Sequence, residues 1–195
     1  MDFAWYRRIA GGIASLWLLS GLTGCAVSDD RLQPLPLAPS VDIERFMGDW
    51  YVIAHIPTFV ERSAWQAVET YRLDDDGNIA TTFTFLRDGF EGSRRTMNPQ
   101  GFVVDKTSNA VWTMQFIWPF RADYRIAFVD PEYEITIIGR ERRDYVWIMA
   151  RAPVLDADAY CAMVARVTAM GYDPKALRQV PQQKGRSEVT CTTDG

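Results

Sequence analysis

The sequence predicts an all-β fold: an eight-stranded antiparallel up-and-down β-barrel with one C-terminal α-helix packed outside. Three observations predict it. Short β-rich runs follow one another between residues 50 and 151, turn residues separate them, and no segment of helical period lies between them. Strands at regular spacing are typical of sandwiches and barrels, and the lack of intervening helices argues against parallel βαβ units. Eight antiparallel strands close a barrel just wide enough to hold one small ligand.

Runs rich in β-branched and aromatic residues provide the strands. They are Trp50–Ile56, Val68–Leu73, Ile79–Leu86, Gly101–Asp105, Ala110–Phe116, Tyr124–Val129, Glu134–Gly139 and Tyr145–Ala150. An Asp-Gly pair between two such runs is a strong hairpin signal, because glycine accepts a positive φ without strain. The segment Asp74–Asn78 is therefore expected to close a hairpin. A calcium loop would need its glycine at the sixth position, which from Asp74 is Ile79.

One amphipathic helix is predicted after the last strand. Asp156 can cap its N-terminus, Asp158 suits the positive end of the helix dipole, and Gly171 can end it. Apolar residues recur there at helical spacing and form one stripe, which consists of Tyr160, Met163, Val164 and Val167. We expect this stripe to pack on the outside of the barrel.

The composition is that of a globular protein with an excess of aromatic residues. The 195 residues are 48% hydrophobic, 24% charged and 13% aromatic, with a net charge of -4. The aromatic excess indicates either a large core or the lining of an apolar pocket. The mild acidity argues against a nucleic-acid partner, because no basic stripe is present to neutralise phosphates. The sequence does not give the oligomeric state, and a homodimer stays open.

The N-terminus carries the features of an export signal. Arg7 and Arg8 precede the apolar run 9–19, which is too short and too interrupted by glycine for a confident transmembrane helix. The segment Leu22–Cys25 then resembles the lipobox of bacterial lipoproteins, whose cysteine receives lipid (palmitate among the expected acyl groups). We therefore predict lipid attachment at Cys25. A signal-anchor helix with a coincidental cysteine is the alternative.

The residues around Cys25 also imply a location and a domain order. Ala26 follows it, where inner-membrane lipoproteins commonly have Asp, so the resemblance implies the outer membrane, with the periplasmic face expected. The predicted order is a signal peptide at 1–24, a lipid-anchored flexible tether at 25–40, a barrel domain with its helix at 41–182 and a tail at 183–195. The tether holds three prolines and little that could pack, so we expect it to be extended and mobile.

Three motifs resemble those of the lipocalin family. The segment Gly48–Tyr51 resembles the Gly-x-Trp signature of the first strand, Arg143–Arg151 looks very like the last strand of the apolipoprotein-D-like bacterial branch, and Trp118–Phe120 fits the same branch. Val129–Tyr133 departs from the Thr-Asp-Tyr-type motif, since it keeps the Asp but delays the Tyr. Over 41–182 the resemblance implies a lipocalin β-barrel that binds, stores or transports lipids such as fatty acids and lysophospholipids.

The motif residues imply a closed floor at one end of the barrel. Trp50 is large enough to plug that end, and the guanidinium of Arg151 can lie across its indole face and donate to nearby carbonyls. The resemblance thus gives Gly48, Trp50 and Arg151 a structural role. The alternative, Trp50 as an ordinary core aromatic, has nearly the same consequence.

Alternate positions of the strands are expected to face the inside and bind the ligand. Starting from parity with Trp50 on the first strand, the candidates are Val52, Ala54, Ile56, Phe83, Phe85, Trp112, Met114, Phe116, Tyr124, Ile126, Phe128, Tyr145 and Trp147. A β-bulge would reverse the parity of every later residue on its strand. Arg94, Arg95 or Arg125 could hold a phosphate or carboxylate head group near the rim, although a solvated surface role is favoured for each.

No catalytic, metal or cofactor site is predicted. His55 is the single histidine, its parity is opposite to that of Trp50 so it is expected to point outward, and a metal site needs several convergent ligands. The sequence has no Gly-x-Ser-x-Gly elbow and no phosphate-binding glycine loop. Cys161 and Cys191 fall on the predicted helix and tail, where they form either a disulfide or two free or intermolecular thiols.

We therefore expect a lipid-binding lipoprotein that is not an enzyme. Its partners would be a small apolar or amphiphilic ligand and the membrane, reached through the lipid on Cys25. Two alternatives from other classes stay open: a lipocalin-type enzyme acting on a hydrophobic substrate, and a structural envelope lipoprotein whose barrel is filled by its own side chains. Turnover of a lipid would favour the first, and absence of ligand uptake the second.

Overall fold

A computed structural model describes residues 33–57 and 61–191, which belong to one compact unit, residues 32–195. Its strands are β1 (Gly48–Ile56), β2 (Ala64–Leu73), β3 (Ile79–Arg87), β4 (Ser93–Met97), β5 (Gln100–Val103), β6 (Val111–Ile117), β7 (Phe120–Val129), β8 (Ile135–Gly139), β9 (Val146–Ala150) and β10 (Arg178–Gln179). Its helices are α1 (Ile43–Phe46), α2 (Ala157–Ala169) and a 3-10 turn (Pro174–Ala176).

The strands close into one antiparallel barrel. β1 to β3 and β5 to β9 pair in chain order, and β1 also pairs with β9, which closes the cylinder. β4 and β5 both pair with β3 and form one wall strand, interrupted at Asn98-Pro99. Proline lacks the amide proton that a strand ladder needs, which explains the interruption. The wall therefore has eight strands, and the short β10 pairs with β1.

The predicted fold class is confirmed, and each of the eight predicted runs overlaps an observed strand. Four short elements were not predicted: β4, β10, α1 and the 3-10 turn. β4 is Ser-Arg-Arg-Thr-Met and mostly exposed, so no apolar alternation marks it. α1 is a single turn, too short to show a period, and begins where the side chain of Asp42 accepts a hydrogen bond from the Arg45 amide.

Helix α2 packs on the outside of the barrel, as predicted. Oδ1 of Asp156 accepts a 2.8 Å hydrogen bond from the Ala159 amide and so caps the helix. The helix ends just before Gly171, whose φ is 90°. The buried face of the helix consists of Tyr160, Met163 and Val167.

The barrel wall separates two hydrophobic cores. The inner core lies inside the barrel and includes Trp50, Phe83, Trp112 and Ile126. The outer core lies between the wall and α2 and includes Ile137, Ile148, Met163 and Val167. β1, β7, β8 and β9 contribute side chains to both cores from their two faces, so in these strands a change of parity moves a residue from one core to the other.

Bulges reverse the direction of three predicted ligand residues. In β1 the register with β9 shifts between Val52 and Ala54, and in β7 the register with β8 shifts between Ile126 and Phe128. Beyond these shifts Ala54, Ile56 and Phe128 lie in or against the outer core. The prediction that these three face inward is therefore wrong, because the extra residue of a bulge flips the side chains that follow it.

The bulge in β1 also turns His55 inward. The Cα of His55 pairs with that of Trp147, whose side chain packs on the inner core. The His55 side chain is 1% exposed, and its Nδ1 lies 3.4 Å from Oε2 of Glu61. The prediction that His55 points outward is wrong for the same reason.

Residues 33–40 pack against the barrel. Leu35 and Ala38 are each only 3% exposed, and the Leu35 amide donates a 3.2 Å hydrogen bond to Oε1 of Glu141. The prediction of a mobile tether is therefore wrong for 33–40, because the apolar residues between the prolines find partners on the wall. The predicted signal peptide at 1–24, the lipidated Cys25 and the rest of the tether lie outside the described residues.

The C-terminal segment is tied to the outer core. Cys161 of α2 and Cys191 form a disulfide, with a Cα–Cα distance of 5.5 Å. This answers the question that the sequence left open. The side chain of Gln179 also pairs with both backbone groups of Val189. The unit 32–195 thus contains the closed wall, both cores and the disulfide, and we expect it to fold without the preceding residues.

Candidate functional site

The closed end of the barrel is formed by Trp50 and Arg151. The guanidinium carbon of Arg151 lies 3.9 Å from the centroid of the Trp50 ring. Nη1 donates a 2.8 Å hydrogen bond to the carbonyl of Asp49, and Nη2 donates to the carbonyls of Arg45 and Met47, each at 2.8 Å. The fixed fork of the guanidinium thus satisfies carbonyls that the short helix α1 leaves unpaired.

Gly48 allows this close approach. Its φ is 98°, and a Cβ atom at this position would lie 3.3 Å from Nη1 of Arg151. Glycine adopts such a φ without strain. Desolvation lowers the pKa of Arg151 somewhat, while the charges of Glu134 and Asp49 act in the opposite direction. An arginine still keeps its proton at neutral pH.

Aromatic rings fill the barrel above this floor. Nε1 of Trp50 donates a 2.8 Å hydrogen bond to the carbonyl of Phe46. The Phe46 ring lies 5.0 Å from that of Trp50 and 5.5 Å from that of Trp112, centroid to centroid. Trp112 in turn stacks on Tyr124 at 5.5 Å. This end of the barrel is therefore packed core, with the rings in the offset and edge contacts that aromatic side chains prefer.

A cavity of about 520 Å³ lies at the other end of the barrel. Volumes of roughly 300–1,000 Å³ are typical of small-molecule sites. The cavity belongs to the open end because Ile117, Arg140 and Tyr145 lie at strand ends remote from Trp50. The wall of the cavity consists of Glu61, Glu69, Met97, Asn98, Pro99, Met114, Phe116, Ile117, Ala122, Asp123, Tyr124, Arg140, Tyr145 and Trp147.

The thirteen predicted ligand-binding residues divide into three groups. Five line the cavity: Met114, Phe116, Tyr124, Tyr145 and Trp147. Five belong to the inner core beside or below the cavity: Val52, Phe83, Phe85, Trp112 and Ile126. The remaining three are those that the bulges turn outward.

Two glutamates that the sequence analysis missed lie in the cavity wall. Glu61 is 5% exposed, and its Oε2 accepts a 3.2 Å hydrogen bond from Nε1 of Trp147. Glu69 pairs with Trp50 in the β1–β2 register and therefore faces inward. It is half-buried, because the surface that it keeps opens onto the cavity. Burial and then the charge of Glu61 raise the pKa of Glu69 from 4.5 to about 8, so at pH 7 it is mostly protonated.

The sequence signal for these glutamates is weak. β2 has two alternating sets of side chains, one with Ala67, Glu69 and Tyr71 and the other with Val68 and Thr70. Only the register with β1 decides which set faces inward, and register depends on long-range packing. Glu61 comes from the connection between β1 and β2, where no strand period applies.

Two tyrosines join the inner end of the cavity to the core. The hydroxyl oxygens of Tyr71 and Tyr124 are 2.6 Å apart and share a hydrogen bond. Burial, with a smaller effect of the Glu69 charge, raises the pKa of Tyr124 well above its ordinary value. Tyr124 is therefore protonated at neutral pH and can accept or donate a hydrogen bond beside Glu69.

The rim of the cavity combines an apolar hairpin with one arginine. The β6–β7 hairpin exposes Ile117, Trp118 and Phe120 by 72%, 81% and 75%. Arg140 lies 4.9 Å from the centroid of the Tyr145 ring, and its Nη1 is 3.3 Å from Oδ2 of Asp144. Contiguous exposed apolar side chains of this kind commonly mark an interaction site.

The arginines named from the sequence do not line this cavity. Arg94 and Arg95 are exposed on β4. Arg125 is held by Asp123 and Glu141, each at 3.0 Å. Among residues 33–57 and 61–191, no three His, Cys, Asp or Glu side chains are grouped to hold a metal ion. In the same part of the chain, no helix is long and apolar enough to cross a membrane.

A closed antiparallel barrel with a plugged floor and a largely apolar cavity at its open end defines a β-barrel binding protein for small ligands. Known proteins place the chain more narrowly. A family model described as a lipocalin-like domain matches residues 41–182. The chain belongs to the lipocalin family, in the branch of the bacterial Blc lipoproteins and apolipoprotein D.

Individual relatives agree with this assignment. Temperature-induced lipocalin-1 of Arabidopsis thaliana is 30% identical over 160 residues, which are 76% of this chain and 83% of that protein. The outer membrane lipoprotein Blc of Citrobacter freundii is 30% identical over 141 residues, 72% of this chain and 79% of that one. Insecticyanin from the tobacco hornworm shares the fold, with a TM-score of 0.61 at 15% identity over 78% of this chain and 86% of its own. Lipocalins are in general binding proteins for small hydrophobic ligands.

Proposed function

We propose that this lipocalin binds fatty acids or lysophospholipids in its cavity at the bacterial outer membrane. The observation that carries the proposal is the cavity of about 520 Å³ at the open end of the barrel. Burial of about fourteen carbons yields on the order of 11 kcal/mol at about 0.8 kcal/mol per CH₂. Lost freedom of the ligand offsets several kcal/mol of this, so we expect dissociation constants near micromolar.

The charges of the cavity bear on how an anionic lipid would lie in it. Glu61 and Glu69 in the wall of the cavity disfavour a carboxylate or phosphate beside them. Arg140 offers a cation at the rim. We therefore expect the head of a fatty acid at the mouth beside Arg140 and its chain inside, along Met114 and Trp147.

The position of Gln33, the first residue that the structure describes, supports a location of the protein at the membrane. The carbonyl of Gln33 accepts a 2.6 Å hydrogen bond from Nη2 of Arg143, at the same end of the barrel as the cavity mouth. Eight residues from Cys25 to Gln33 span at most about 28 Å. A lipid on Cys25 would therefore keep the mouth and the apolar hairpin 117–120 near a bilayer. The Blc relatives are themselves outer membrane lipoproteins by name.

Mass spectrometry of lipids that co-purify with the protein tests the proposal. The wild type should carry fatty acids or lysophospholipids. Ala122→Phe places a ring in the cavity and should lose them. Val104→Phe adds the same ring at a position that is 59% exposed and should retain them. Equal lipid content in the wild type and both variants would contradict binding in the cavity.

The anchor is tested separately by Cys25→Ser. Without the thiol no lipid can be attached, so the variant should keep its signal peptide and fractionate with the inner membrane. A variant that is still cleaved after Gly24 and still reaches the outer membrane would contradict the assignment of Cys25.

Of the two alternatives, the filled barrel is disfavoured by the size of the cavity. No specific observation favours an enzyme. The two cysteines in the described part of the chain are joined to each other and so provide no nucleophile.

A further inference from the structure

Two carboxyl groups without an arginine or lysine partner in the described ion pairs line the cavity. Glu61 comes from the β1–β2 connection at the open end and lies beside Trp147, and Glu69 lies deeper, where it pairs with Trp50 in the strand register. Asp123 also lines the cavity but is paired with Arg125 at 3.0 Å. Oε2 of Glu61 lies 3.4 Å from Nδ1 of His55, and the ion pairs of the described residues include none with Glu69. Arg140 lies at the rim and is paired with Asp144. A cationic group that enters the cavity would therefore meet both carboxyl groups.

The hydrogen bonds of this cluster are also incomplete. His55 is 1% exposed, yet neither of its ring nitrogens has a hydrogen-bond partner among the described residues. Buried polar groups are normally satisfied, so the two ring nitrogens are available to a further hydrogen-bond partner. Trp147 fixes one oxygen of Glu61 by its 3.2 Å hydrogen bond, which holds the carboxylate in place beside the cavity.

Aromatic side chains also line the cavity, among them Tyr124, Tyr145 and Trp147. Such rings attract a cation through their faces, most strongly when the site is desolvated. The mouth is lined by Phe116 and Ile117 together with Arg140. Carboxyl groups in the wall of the cavity favour a cationic over an anionic head group beside them.

We propose that Glu61 and Glu69, in the wall of the cavity, bind the protonated amino group of an amphiphilic amine whose apolar chain occupies the rest of the cavity. This inference rests on the proposed function, because it names the head group that the same lipid-binding cavity prefers. A primary ammonium group provides three N–H donors, enough to reach both carboxylates. Fatty acids of equal length would bind in the opposite direction and more weakly.

The protonation of Glu69 gives this inference a second observable. Burial and Glu61 raise the pKa of Glu69 to about 8, so its carboxyl group is mostly protonated at pH 7. An ammonium group beside it stabilises the carboxylate and lowers that pKa. Binding of an amine at pH 7 should therefore release up to about one proton per ligand, whereas binding of an uncharged alcohol should release none.

Three probes with the same chain test the inference: dodecylamine, dodecanol and dodecanoate. Each is titrated into the unit 32–195 at pH 7, with tryptophan fluorescence for affinity and calorimetry in two buffers of different ionisation enthalpy for proton release. We expect dodecylamine to bind at least about tenfold more tightly than dodecanoate. Glu61→Gln and Glu69→Gln should reduce this ratio severalfold while dodecanol affinity stays within about twofold. Glu91→Gln, at a carboxylate that is 89% exposed, should leave the ratio unchanged.

The outcomes separate this inference from the proposed function. Saturable binding of all three probes with dodecanoate equal to or tighter than dodecylamine overturns the inference and leaves lipid binding standing. An amine preference that survives both glutamine variants, without proton release in the wild type, also overturns it. If none of the three probes binds saturably, both proposals fail.

Discussion

Arg151 has two roles at the closed end of the barrel. It covers the indole of Trp50, and it donates hydrogen bonds to several backbone carbonyls. Its Nε donates a 3.2 Å hydrogen bond to the carbonyl of Tyr133, in addition to the bonds with the segment 45–49. The pair was identifiable from the sequence because both residues belong to recognisable motifs. The carbonyls that Arg151 binds were not, because they come from α1 and from the loop before β8.

The floor is tested by substitution at both residues. Trp50→Ala should lower the free energy of unfolding by about 3–5 kcal/mol, as expected for a buried tryptophan. Arg151→Ala should cost less, about 2 kcal/mol, because a cation–π contact contributes about 1–2 kcal/mol and the hydrogen bonds exchange with water. Arg151→Lys keeps the positive charge but loses the planar guanidinium group with its several N–H donors, and it serves as the control. Denaturant unfolding measures all three, and a Trp50→Ala variant as stable as the wild type would rule out this floor.

Glu69 makes a separate contribution to the pH dependence of stability. Its folded pKa of about 8 exceeds the ordinary value of 4.5. The folded state therefore binds the Glu69 proton more tightly than the unfolded state does between these values. The contribution of Glu69 to the free energy of unfolding is fully present below about pH 4.5. It decreases as the pH rises towards about 8, by up to about 1.4 kcal/mol per pH unit.

Glu69→Gln removes this titrating group. Unfolding free energies measured across that range should show a smaller decline with rising pH in the variant than in the wild type. Glu91→Gln should follow the wild type, because its carboxylate is exposed. Parallel curves for the wild type and Glu69→Gln would show that Glu69 titrates normally in the folded protein.

At the scale of single elements, the positions of the strands could be predicted from the sequence. Which side chains of a strand face the inside of the barrel could not always be predicted. The turn residues and β-rich runs give the positions, since they depend on local preferences. In β1 the predicted directions of the side chains are correct up to Val52 and wrong from Ala54 onward, because a bulge lies between these two residues. A bulge inserts a single residue without a distinct local signature, so it exchanges the roles of Ala54 and His55 without any trace in the periodicity.

The link between α2 and the C-terminal segment is an element-scale feature with a measurable contribution. The disulfide spans 30 residues, and closing a loop of this length stabilises the fold by about 3–4 kcal/mol in the chain-entropy model. Cys161→Ser, Cys191→Ser and the double variant should lower the unfolding free energy by similar amounts, because each breaks the same link. A double variant much less stable than either single one would show that the individual side chains, rather than the link between them, matter.

At the scale of the whole molecule, the sequence predicted the barrel, its outer helix and the residue types of the floor. It also predicted five cavity residues, four of which are aromatic. It did not predict the two carboxyl groups in the wall of the cavity. That feature arises where the β1–β2 connection, the bulge in β1 and the register of β2 bring Glu61, His55 and Glu69 together from separate parts of the chain.

The central claim, that the barrel encloses a defined cavity for hydrophobic chains, is tested most directly by a chain-length series. Saturated fatty acids from about eight to about eighteen carbons are titrated into the unit 32–195 by tryptophan fluorescence, since Trp147 lines the cavity. Affinity should rise by up to about fourfold per added carbon and then level off or fall once the cavity is full. Binding should saturate near one ligand per chain. Affinities that do not change with chain length, or binding that never saturates, would contradict a defined cavity.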